Sequence, residues 1–161
     1  IYQALEKGTL DAAEFTVPHD DAKLGFHKVA PYYYYPGWWE GGADLEFFIN
    51  LKKFNTLSAE NKAILDAAMS VAAADMTAKY DALNPVALKK LVAEKTQLKA
   101  FPKSVIDAGF KACMEVFGEH EAKSPVFKKI HQDMRAFQRD QILWNRFSEF
   151  PYNQYMNGVK I

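Results

Sequence analysis

Hydrophobic and polar positions follow two different periods along this chain. Up to about residue 57 the apolar residues come in short runs bounded by glycine and proline, the mark of strands and turns. Leu10 to Val17, ended by Pro18, reads as a short strand, as does Phe26 to Tyr35, bounded by Gly25 and Pro36-Gly37. Asp44 to Asn50 reads as a second strand of the same sheet. Ile1 to Lys7 is the end of a helix closed by Gly8, and His19 to Gly25 is a polar loop with one helical turn at most.

Beyond Leu57 the period lengthens to that of a helix. Leu65, Met69, Ala72, Met76 and Tyr80 recur every third or fourth residue behind Ser58 as N-cap and Glu60 in the first turn. Asn84-Pro85 either kinks this helix or restarts it, and Val86 to Lys95 continues it. Residues 96–101 alternate as a half-buried strand. The next helix starts near Pro102 with Val105, Ile106, Phe110, Cys113, Val116 and Phe117 turned inward. Ser124-Pro125 opens a last long helix to about Phe147, striped by Phe127, Ile130, Met134, Phe137 and Trp144, before an irregular tail from Phe150 to Tyr155. The fold class is therefore mixed α/β dominated by helices, with a strand-rich segment 1–57 and a helical segment 58–161 holding one strand near 96–101.

At 161 residues and 49% hydrophobic side chains the chain can bury a core, which excludes intrinsic disorder. Its 20 basic and 20 acidic residues cancel, which argues against a nucleic-acid or membrane-surface partner. The lone Cys113 has no disulfide partner in the chain and sits on an apolar helix face, so it reads as core. No stretch approaches the roughly 18 apolar residues of a membrane span. The chain opens at Ile1-Tyr2-Gln3 as if inside a helix, with no initiator Met, and is expected to be a fragment.

Catalytic signatures do not appear: there is no Gly-x-Ser-x-Gly, phosphate loop, His-Glu-x-x-His or paired-cysteine site. His19, His27, His120 and His131 are scattered; His120 and His131 read as solvated helix residues, and His19-Asp20-Asp21 as a solvated loop rather than a metal site. What stands out is the run Tyr32-Tyr33-Tyr34-Tyr35-Pro36-Gly37-Trp38-Trp39-Glu40-Gly41-Gly42. So much aromatic surface needs a partner or a pocket. Glu14 in the first strand and Glu40 after the tryptophans are both acidic residues flanked by rings. Converging carboxylates between aromatic walls could hold a hard cation or accept hydrogen bonds from a polar ligand, whereas Glu14 alone could equally face solvent on an edge strand.

The same residues carry a resemblance. Ala4 to Phe15, Asp20-Asp21-Ala22-Lys23-Leu24-Gly25-Phe26, and the string from Tyr32 to Glu40 resemble the second half of the substrate-binding proteins of tripartite ATP-independent periplasmic (TRAP) transporters, closest to the branch that binds 2-oxo acids. The resemblance implies the C-terminal half of a two-lobed periplasmic-binding-protein fold with long helices, including a long C-terminal helix. It also implies a non-enzymatic periplasmic receptor that delivers a small organic acid to TRAP permease subunits. It further implies a sodium or calcium ion bridging the ligand, with Glu14, Glu40 and the Phe15 carbonyl as metal ligands and Phe15, Trp38 and Trp39 as further ligand-binding residues. Where the branch commonly has Trp after Glu14, this chain has Phe15, which keeps the wall and loses an N–H donor. The family's ligand-pairing arginine and a glutamine near the cation belong to its first half, upstream of Ile1, so this chain is expected to carry part of a site. The last helix matches the one some members use to dimerise by helix exchange, which predicts a homodimer. A receptor for a dicarboxylate or larger organic acid, and a helical module whose aromatic stripe binds a protein, remain open alternatives.

Overall fold

The structure is a computed structural model that describes residues 1–43 and 45–160. It divides into two units, Ile1–Lys103 and Ser104–Ile161. Helices dominate, with one small sheet, as the pattern predicts.

In the first unit α1 (Tyr2–Glu6) ends at Gly8, whose φ of 65° lets Thr9 N–H reach back to the Ala4 carbonyl at 2.8 Å. The expected strand over Leu10–Val17 does not form: the segment is irregular and joins no ladder among the described residues. A short apolar run becomes a strand only beside another strand. The expected loop at His19–Gly25 is instead α2 (Pro18–Leu24), with Pro18 in its first turn and Gly25 at φ 74° closing it. Only Tyr32–Tyr35 of the longer predicted strand is β1, because the chain spends Phe26–Lys28 in a 3₁₀ turn and Pro31 has no N–H for a ladder. Asp44 lies outside the described residues, and the rest of that predicted strand is irregular up to α3 (Leu51–Asn55). Its Phe47 and Phe48 are exposed, so among the described residues nothing supplies the covered face a strand needs.

Ser58 caps α4 (Ala59–Ala93), its Oγ accepting from Asn61 N–H at 3.2 Å. Pro85 lies inside this single 35-residue helix and neither ends nor restarts it. β2 (Gln97–Ala100) follows and pairs in parallel with β1, Tyr32 opposite Gln97 through Tyr35 opposite Ala100. α3 and α4 form the long crossover a parallel pair requires. β2 is exposed along its length rather than half-buried. Ala87 and Leu91 of α4 form the buried apolar centre of this unit.

In the second unit α5 (Lys103–Lys123, its first residue in the first unit) leads through Ser124 into α6 (Pro125–Phe147). Ser124 Oγ accepts from Phe127 N–H, as the Ser-Pro pair predicts. The corner is filled by Phe117, Phe127 and His131, with ring centroids 4.6 to 6.4 Å apart. His131 was expected in solvent; it is 7% exposed, its Nδ1 2.6 Å from Glu121 Oε1. Cys113 is half-buried and unbonded to another cysteine. The tail is not irregular but helical, α7 (Glu149–Asn157). Pro151 sits in its first turn, where the missing N–H would have had no intrahelical partner.

Candidate functional site

Glu14 and Phe15 lie on the irregular stretch before α2. Glu14 is exposed, and Phe15, 42% exposed, meets the ring of Phe26 edge-on at 5.7 Å. Trp38, Trp39 and Glu40 follow β1 through a cis Tyr35–Pro36 bond and a turn in which Glu40 N–H donates to the Gly37 carbonyl at 3.3 Å. The two indoles are perpendicular at 5.3 Å, Trp39 lies 6.1 Å from the Phe101 ring, and Tyr34 lies tilted against the same Phe101 at 5.0 Å. The tryptophans thus end a row of rings standing on the β1–β2 pair. Glu40 is exposed beyond them.

The predicted residues therefore form two clusters, Glu14 with Phe15 and Trp38 with Trp39 and Glu40. Among the described residues no ring contact or hydrogen bond joins the two, and no three His, Cys, Asp or Glu gather as a metal cluster. Two free carboxylates and a main-chain carbonyl are hard oxygen donors of the kind sodium and calcium take. They are fewer than the six or more oxygens that calcium takes.

Sequence reasoning missed the residues that hold these segments. Asp21, read as solvated loop, is 7% exposed and accepts from the Tyr33 hydroxyl at 2.5 Å. Asp20 accepts from Tyr80 of α4 at 2.6 Å and from Thr16 at 3.3 Å, and His19 N–H donates to Asn84 Oδ1 at 3.0 Å. Burial pushes the Asp21 carboxyl above its ordinary range against the opposing pull of the Tyr33 hydroxyl. Burial and the bond to Asp21 raise the Tyr33 phenol, and the bond to Asp20 raises that of Tyr80. The signal was available in Pro18 before two acidic residues, an N-terminal helical turn, but the tyrosine partners are too distant in sequence to be read.

A family profile described as bacterial extracellular solute-binding protein, family 7 (DctP), matches residues 1–124. A monocarboxylate 2-oxoacid-binding periplasmic protein of Nostoc sp. is 39% identical over 158 residues, which are 98% of this chain and 43% of that protein. The crystal structure of a TRAP transporter solute binding protein from Bordetella bronchiseptica superposes with a TM-score of 0.90 at 44% identity, covering 96% of this chain and 46% of that one. That structure is described as a mixed occupancy dimer, with copurified calcium and picolinate in one active site and the other site apo. The chain thus spans less than half the length of either relative.

Proposed function

The chain belongs to the bacterial extracellular solute-binding proteins of family 7, and from that membership we propose that the whole protein is a periplasmic TRAP receptor for a small 2-oxo or 2-hydroxy monocarboxylate bound together with a metal cation. The family is one of transport receptors, not enzymes. Among the described residues no helix is long and apolar enough to cross a membrane.

The observation that carries the reading is the turn after β1, which presents Glu40 beside two tryptophan walls in a chain so close to a calcium- and picolinate-bound relative. Picolinate and 2-oxo acids share a chemistry: each has a second donor atom one carbon away from its carboxylate, so each can chelate a cation in a five-membered ring. An organic anion placed directly against Glu14 and Glu40 would be repelled, and a cation between them removes that cost. In this reading Glu14, Glu40 and the Phe15 carbonyl hold calcium or sodium, and Phe15, Trp38 and Trp39 enclose the acid's carbon skeleton. The ligand then passes to TRAP permease subunits. The exposed stripe of α6, with Ile130, Met134, Phe137 and Trp144, is the surface for a homodimer through the long helix.

Calorimetric titration of the whole protein with pyruvate tests this, with chelator and with calcium or sodium added back. Binding is expected to require the cation. Glu40→Gln and Glu14→Gln are each expected to weaken it roughly a hundredfold, the upper end of what even indirect partners of metal ligands contribute. Full affinity in chelator or in both variants refutes the cation bridge, and failure to bind any small acid favours a helical interaction module.

A further inference from the structure

Asp20 and Asp21 are neighbours in α2, yet their side chains serve different parts of the first unit, since successive helix positions point about 100° apart. Asp20 Oδ2 takes hydroxyls from Tyr80 of α4 and from Thr16, two residues beyond Glu14. Asp21 Oδ2 takes the hydroxyl of Tyr33 in the middle of β1. Tyr34, the next residue of β1, turns to the other face and lies tilted against Phe101, which in turn meets Trp39. Hydrogen bonds from α2 therefore reach the chain two residues after Glu14 and the strand that leads to Trp38, Trp39 and Glu40.

We propose that the Asp20–Asp21 pair is a positioning element of the ligand site: Asp20 fixes the segment that carries Glu14 and Phe15, and Asp21 fixes the strand that leads to Trp38, Trp39 and Glu40. Both parts of the donor set are thereby referenced to one short helix, itself pinned on α4. Burying a carboxylate is costly even when it is hydrogen-bonded, and an apolar side chain would fill the place more cheaply if packing were all it did. The cost falls where a displacement of the strand would move the tryptophan walls. Asp20 and Asp21 touch no ligand in this assignment. It rests on the reading of Glu14 and Glu40 as the donors.

The test uses the whole protein carrying Asp21→Ala, Asp21→Asn or Tyr33→Phe, with His131→Ala as a destabilised control from the other unit. Pyruvate affinity is read by calorimetry, the Trp38–Trp39 couplet by near-ultraviolet circular dichroism, and stability by urea unfolding. Asp21→Ala is expected to weaken pyruvate binding about tenfold, as small misplacements of a site do, and to diminish the tryptophan signal. Asp21→Asn keeps an oxygen acceptor for Tyr33 and is expected to restore both, while His131→Ala loses stability with unchanged affinity. Should Asp21→Ala fail to fold, Tyr33→Phe breaks the same bond and is expected to give the same two losses. Wild-type affinity and an unchanged tryptophan signal in these variants overturn the proposal, as does an Asn variant no better than Ala. If the unmutated protein binds no pyruvate, the functional reading fails by itself, and the tryptophan signal still decides the positioning role.

Discussion

Two histidine–glutamate pairs, one in each unit, have the same 2.6 Å separation and opposite origins. His27 meets Glu94 across 67 positions of sequence; His131 meets Glu121 across 10. In each, the second ring nitrogen is buried without a partner. The first unit repeats the long-range pattern in Tyr80–Asp20 and His19–Asn84, separated by 60 and 65 positions, while the second is a local corner between consecutive helices. The unit that carries the proposed ligand residues is tied together by distant partners. The other unit is held by neighbours.

Leu91→Ala should break this contrast most forcefully. Leu91 is 1% exposed, so truncation is expected to cost about 2–5 kcal/mol. Native-state hydrogen exchange should show protection falling within Ile1–Lys103 and not within Ser104–Ile161; equal losses in both would mean the units are one cooperative body. Next in size is His131→Ala, at about 1–3 kcal/mol, because it strands Glu121. His27→Ala should cost less, since Glu94 is 42% exposed against 24% for Glu121 and can rehydrate; urea midpoints that reverse this order would break the comparison. Ser58→Ala and Ser124→Ala each remove one N-cap acceptor and should cost about 1 kcal/mol, in different units and additively.

The smallest effect is one of pH. The folded Asp21 carboxyl titrates above its ordinary 3.8, so the stability it contributes is fully present below that value and is lost as pH rises through the folded one. Asparagine cannot ionise. The urea midpoint of Asp21→Asn relative to the unmutated protein should therefore improve between about pH 3 and about pH 7, and a flat difference would show that the carboxyl is not desolvated.

What the sequence revealed follows the same divide. The Ser58 and Ser124 caps, the run of α4 and the extent of α6 are recorded in residues three or four apart, and periodicity reads them. Tyr32–Tyr35 and Gln97–Ala100 were visible as extended segments, but the strands expected at Leu10–Val17 and over 45–50 failed because strand formation depends on a neighbour that local composition does not encode. Glu14, Phe15, Trp38, Trp39 and Glu40, the proposed ligand residues, stand out in the sequence through their chemistry. Asp21 and Tyr33 do not, since each has an ordinary side chain whose meaning lies in the other.

The bond from His19 N–H to Asn84 Oδ1 makes one helix depend on another. Val17, at the N-cap position of α2, supplies no side-chain acceptor, so Asn84 performs that capping from another helix. A seven-residue helix whose cap arrives from 65 positions away draws its stability from that partner rather than from its own sequence. α4 thus supplies what α2 lacks, and the segments on either side of α2, the proposed ligand-bearing ones, are anchored to that long helix through it.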